Sequence, residues 1–177
     1  MIVALTGFMA SGKTTFGRAA AERLGWDFVD LDALIATRYG TPAEIFAAGG
    51  EGRFREIESQ LLDEALAAEG PAVLSLGGGT VLRAENLRRI KAGAVIIWLD
   101  TSFDIIIQEI GGAERPLVKG KPVEAIRALY DERRPLYAAA ADIVFPVVSR
   151  NYVQVIADLA QCIRSIQTSP QNSDTHE

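Results

Sequence analysis

The segment Gly7-Phe8-Met9-Ala10-Ser11-Gly12-Lys13-Thr14 constrains this chain more than any other. It fits G-x-x-x-x-G-K-[ST], a spacing that has mechanical meaning only between a strand and a helix. Both neighbours are legible. Ile2–Thr6 is a short apolar run, and a helix is predicted to open at the end of the motif. In such a unit the glycines let the backbone curl until successive N–H groups face one anion. The helix that follows aims its positive end at the same point. Lys13 is then placed to reach the β- and γ-phosphates of a nucleotide, and the Thr14 hydroxyl to ligate Mg²⁺. The motif implies a nucleoside triphosphate and leaves the reaction open.

The rest of the chain supplies matching units. Trp26–Val29, Ala72–Leu76, Ala94–Leu99 and Asp142–Phe145 also read as strands, several of them apolar throughout. Continuous apolarity marks strands covered on both faces, as in a parallel sheet. Phe54, Ile57, Leu61, Leu62, Ala65 and Leu66 form one helical stripe, and Tyr152, Ile156, Leu159, Ala160 and Ile163 form another. This alternation predicts an α/β fold with a five-stranded, mostly parallel sheet flanked by helices. The polar stretch Gly111–Pro122 reads as a mobile loop. Residues 168–177 carry no apolar side chain and read as a disordered tail. Residues 1–167 are expected to form a single domain.

Composition removes whole classes of chemistry. Cys162 is the only cysteine, and the only histidine, His176, is the second-last residue. A disulfide, a cysteine-rich zinc site and a Ser-His-Asp triad are therefore excluded as expectations. A bound metal would be held by oxygen, which favours Mg²⁺. The net charge of −5 argues against nucleic acid or an anionic membrane as partner. No run approaches the roughly 18 apolar residues of a membrane span, and the N-terminal run lacks a basic leader. A cytoplasmic location is expected.

Two carboxylate sites compete for the metal. Asp100 ends an apolar run like a Walker B strand, but Asp100-Thr101-Ser102 also reads as a helix cap. Asp30-Leu31-Asp32 ends the second strand, where alternate residues share one side of the backbone. One acid could support Mg²⁺ and the other a substrate hydroxyl, or the pair could cap a helix over Ala33–Tyr39. Gly77-Gly78-Gly79 follows the third strand, where backbone N–H groups could approach a ligand closely. Arg55 lies three residues before Glu58, which could orient it. Arg115, in the mobile loop, has the position of an internal arginine finger. Arg133 and Arg134 precede Pro135-Leu136-Tyr137.

Taken in order, these features resemble the shikimate kinases over about residues 1–166. The specific ones are Asp30-x-Asp32, Gly49-Gly50-Glu51 with Phe54-Arg55-x-x-Glu58, Gly77–Gly79, Arg115-Pro116-Leu117 and Arg133-x-Pro135-Leu136-Tyr137. The resemblance implies a P-loop kinase fold with strand order 2-3-1-4-5 and a lid over residues 111–122. It implies phosphoryl transfer from ATP to the 3-hydroxyl of shikimate, in the chorismate route to aromatic amino acids. The implied nucleotide-binding residues are Ala10, Ser11, Gly12, Lys13, Thr14, Thr15 and Arg115. Asp32, Arg55, Gly77, Gly78, Gly79 and Arg133 would bind shikimate, and Thr14 with Asp30 or Asp32 would hold Mg²⁺. Lys13, Asp32 and Arg115 are the expected catalytic residues, and a monomer is expected.

Two positions depart from the family pattern. Ala10 stands where a glycine is common, and little effect is expected unless the backbone there takes a positive φ. A family arginine that packs on adenine falls near Gln108, and Arg150 is the expected substitute near the base. The rival readings are a gluconate-type or nucleoside monophosphate kinase, or a nucleotide-binding regulator without activity.

Overall fold

The computed structural model describes residues 1–110, 120 and 122–168. Its strands are β1 (Ile2–Thr6), β2 (Asp27–Asp30), β3 (Ala72–Ser75), β4 (Ala94–Thr101) and β5 (Ile143–Val147). They form one parallel sheet in the order β2-β3-β1-β4-β5, as the resemblance implies. Every residue of β1 is buried. Ile2 and Ala4 face one core and Val3 and Leu5 the other, so the unbroken apolar run reflects two covered faces.

The first core lies under α2 (Leu31–Tyr39), α3 (Pro42–Leu66), α4 (Ala84–Gly93), α5 (Phe103–Ile110) and α6 (Val123–Ala140). The second lies under α1 (Lys13–Leu24) and α7 (Tyr152–Thr168). Both predicted helical stripes pack inward: Ile57, Leu61 and Leu62 are buried in the first core, Leu159 and Ile163 in the second. Pro146 sits in β5, an edge strand, where a missing N–H breaks no ladder.

Some boundaries differ from expectation. Thr168, expected to open the tail, is the last residue of α7, and residues 169–177 lie outside the described residues. So do residues 111–119 of the expected lid, including Arg115. The segment α3 is two helices joined at Gly50, whose φ of 70° and ψ of −175° are not helical. Among the described residues, no helix is long and apolar enough to cross a membrane.

The sheet order sets the location of a site. The chain leaves β1 toward β2 and β3, then crosses to β4 on the other side. Ligands of open parallel sheets bind beyond the strand C-termini at such a reversal. The phosphate loop, Asp30, Ser75 and Thr101 all lie at those ends.

Candidate active site

The phosphate loop connects β1 to α1. Gly12 precedes α1 at φ 91°, and no side chain caps the helix, so its first N–H groups are left for an external anion. Lys13 is 8% exposed, and its Nζ donates to the carbonyls of Gly7 (3.0 Å) and Phe8 (2.9 Å). The Thr101 hydroxyl, at the end of β4, donates to the Ser11 carbonyl at 2.9 Å and braces the loop from outside. Ala10 is the only non-glycine residue with positive φ among those described, at 60°. The expectation of little effect is therefore corrected. An L-residue in the left-handed region carries a cost of about 1–2 kcal/mol.

Residues Ala10 to Thr15 line a cleft of about 390 Å³ together with Phe16, Asp32 and Ser75. Thr14 Oγ1 donates to Asp30 Oδ2 at 2.5 Å and lies 3.5 Å from the Ser75 hydroxyl. Asp30 also caps α2, its Oδ1 accepting from the Ala33 N–H at 3.0 Å. The cap reading of this motif thus holds for Asp30, whose other oxygen is turned to Thr14. Asp32 lies in the first turn of α2 rather than on extended backbone, because the helix begins at Leu31. Strand alternation is not what brings the two acids to one place.

Asp100 does not cap α5, which opens at Phe103. It lies within β4, and its two oxygens accept from Arg134 Nε (3.1 Å) and Nη2 (2.6 Å). The Arg134 guanidinium also lies over the Trp98 ring, 5.6 Å from its centroid. The carboxylate pins α6 to β4.

The glycine triplet meets a second group of side chains. A Cβ on Gly77 would come within 2.8 Å of Asp32 Oδ1 and 3.0 Å of Glu58 Oε1. A Cβ on Gly79 would come within 2.9 Å of Arg55 Nη1. Gly78 has more room, its nearest neighbour being the Gly7 carbonyl at 3.6 Å. These glycines make space for the chain's own charged side chains, where the sequence suggested only approach to a ligand.

Glu58 is 1% exposed, and it accepts from Arg55 Nη1 (3.0 Å) and from the Thr80 hydroxyl (2.7 Å). A buried carboxylate so bonded fixes the guanidinium in one orientation. Burial works against the Arg55 charge, but Glu58, then Glu51, more than offset it and hold its pKa above the usual arginine value. On the opposite wall Tyr137 donates to the Gly78 carbonyl at 2.5 Å. Burial pushes the Tyr137 phenol up, and Arg133 beside it pulls the other way. Asp32, Arg55, the triplet and Arg133 thus converge on one corner next to the phosphate loop.

The far end of the cleft is lined by Thr101, Ile105, Glu109, Val147 and Tyr152. Arg150 donates to Gln108 Oε1 (2.7 Å) and to Glu109 Oε1 (3.0 Å), and Tyr152 donates to the same Glu109 oxygen (2.7 Å). That bond to Glu109 raises the Tyr152 pKa. Gln108 and Arg150, flagged separately in the sequence, are hydrogen-bond partners. No pattern in the sequence marks Ser75, Thr80 or Glu109, and Thr101, Tyr137 and Tyr152 stand there as cap, motif and stripe positions rather than as site residues.

Comparison with known proteins agrees with this geometry. The family model described as shikimate kinase matches residues 9–164. The shikimate kinase of Symbiobacterium thermophilum is 40% identical over 166 residues, covering 91% of this chain and 95% of that protein. That of Moorella thermoacetica is 36% identical, covering 92% and 94%. The structure of the Acinetobacter baumannii shikimate kinase in complex with shikimate superposes with a TM-score of 0.85 at 29% identity, covering 95% of both chains. With a phosphate loop, an acid pair and an arginine–glycine corner in one cleft, and with relatives matched over nearly their whole length, this chain belongs to the shikimate kinase family.

Proposed function

We propose that this protein is a kinase that transfers the γ-phosphoryl group of ATP to the 3-hydroxyl of shikimate, giving shikimate 3-phosphate and ADP in aromatic amino acid biosynthesis. The observation that carries this reading is the position of Asp32. It lines the phosphate cleft and also packs against Gly77, beside the Glu58–Arg55 pair. One carboxylate therefore stands between a triphosphate site and a corner built for an anionic acceptor.

The roles follow from chemistry. Arg55 and Arg133 grip the acceptor carboxylate through charge-assisted hydrogen bonds. Asp32 orients the acceptor hydroxyl and takes its proton, the task of a general base in a chain whose only histidine is near the terminus. Lys13 exchanges its carbonyl partners for phosphate oxygens and stabilises charge on the transferring group. Ala10, Ser11, Gly12 and Thr15 hold the phosphates, and Arg150 lies at the base end. Arg115 is assigned to the transferring phosphoryl group by the resemblance alone.

The donor set fits Mg²⁺. Thr14, Asp30, Asp32 and Ser75 offer only oxygen, and no group of three or more acidic, histidine or cysteine ligands occurs among the described residues. Mg²⁺ suits such a site, since it is held by one or two carboxylates and fills its shell with phosphates and water. When bound it would neutralise charge on the β- and γ-phosphates. Thr14, Asp30 and Asp32 would hold it. The protein acts as a single-domain monomer in the cytoplasm in this reading.

The test is ADP production with ATP and Mg²⁺ across shikimate, quinate, gluconate and nucleoside monophosphates. Turnover with shikimate far above the others is expected. Preference for gluconate or a nucleotide would move the acceptor assignment.

A further inference from the structure

Arg55 presents two edges to its surroundings, and they are held differently. Nη1 donates to Glu58, whose other oxygen is taken by Thr80, so this edge is locked inside the protein. Nε and Nη2, which together form a fork that suits a carboxylate, both donate to one oxygen of Glu51, at 3.4 and 3.3 Å. Glu51 is 73% exposed, whereas Arg55 is 22% exposed. The Glu51 bonds are long, use a single oxygen and face water. The Glu58 bond is shorter and dry.

The backbone explains why Glu51 is there. Gly50 breaks α3 in a left-handed conformation that leaves open space around its Cα, so a new helical segment starts at Glu51. Glu51 is then four residues before Arg55, the orientation that favours an acid–base pair on a helix.

We propose that Glu51 is an internal placeholder for the acceptor carboxylate. The unliganded enzyme keeps the fork of Arg55 occupied by Glu51, and the acceptor enters by exchanging its own carboxylate for that of Glu51. The exchange leaves the half-buried guanidinium compensated throughout. It also makes a negative charge on the acceptor a condition of entry, because a neutral group cannot displace the acid. Glu51 is thus a specificity-determining residue for acceptor binding, and the inference rests on the reading of Arg55 as the acceptor grip.

The test compares Glu51→Gln with Glu56→Gln. Glu56 is equally exposed, lies on the same helical segment and pairs with Arg53 at 3.4 Å rather than with Arg55. Removing the competitor should lower the shikimate KM, and the shikimate Kd without ATP, by about two- to fivefold, the scale of an exposed ion pair. The KM for ATP should not move, and Glu56→Gln should shift neither constant. A shikimate KM that is unchanged or raised in Glu51→Gln would overturn the exchange. An equal drop in Glu56→Gln would overturn it too, since general charge would then be the cause. Arg55→Ala separates this from the reading beneath it. A raised shikimate KM in Arg55→Ala with no gain in Glu51→Gln defeats the placeholder alone, whereas an unchanged KM in Arg55→Ala defeats the grip as well.

Discussion

Lys13, Asp32, Asp100 and Ala10 show what single residues do here. Lys13 is buried, with its ammonium on the loop carbonyls of Gly7 and Phe8. Lys13→Ala is expected to abolish ADP production while shifting the thermal midpoint by only about 2–4 °C, the scale of 1 kcal/mol in a domain this size. Near-normal turnover in that variant would remove the phosphate loop from the mechanism. Asp32→Asn should likewise stop turnover, because the amide keeps the shape and loses the basicity. Asp100→Asn should instead cost stability, about 0.5–1 kcal/mol by urea titration, through its half-exposed pair with Arg134. The motif and the acids at Asp30 and Asp32 were legible because their spacing is local. The partner of Asp100 was not, since Arg134 lies 34 positions along the chain on another element. The left-handed Ala10 was also hidden, because a dihedral angle is not written in a residue's identity. Ala10→Gly is expected to raise stability by about 1 kcal/mol in the same titration.

At the scale of elements, the turn after β3 carries the clearest prediction. Its three glycines look alike in the sequence and differ in their surroundings. An added methyl at Gly77 meets Asp32 and the buried Glu58 and Thr80, and one at Gly79 meets the Arg55 guanidinium that Glu58 holds. Gly77→Ala and Gly79→Ala should therefore lose activity and lower the thermal midpoint, as Asp32 and Arg55 leave their places and the buried Glu58 loses partners. Gly78→Ala, with neighbours at 3.6 Å and beyond, should be tolerated in both measurements. Equal losses in all three variants would mean that the backbone, and not the space beside it, is what the triplet supplies. Helix periodicity revealed the buried stripe of α3 but not its break. Phe54 to Leu66 repeats at helical spacing, and only the positive φ of Gly50 shows that this segment starts afresh, which is what aims Arg55 and Glu58 at the triplet.

At the scale of the molecule, the parallel sheet gathers the ends of β1, β2, β3 and β4 into one cleft, and the Tyr137 hydroxyl ties α6 to the glycine turn at Gly78. The parallel sheet and its two covered faces were readable from unbroken apolar strands, since burial on two faces leaves a signature in composition, whereas the strand order came from the resemblance alone. Convergence of Arg133 with Arg55 was implied by the resemblance and by no local pattern, because the two lie on different helices. Arg133→Ala should raise the shikimate KM and leave that for ATP unchanged, a split that kinetics with each substrate varied in turn would read. Arg55→Ala should do the same and also lower stability, by about 3–5 kcal/mol, because Glu58 would be left buried without its partner. In the proposed reaction one cleft moves phosphate from ATP to shikimate. This transfer is tested most directly by ³¹P NMR of the enzyme with ATP, Mg²⁺ and shikimate. The predicted spectrum gains one phosphomonoester on the 3-hydroxyl, in step with ADP and only when shikimate is present. ADP accumulating without acceptor, or shikimate recovered unphosphorylated, would contradict it.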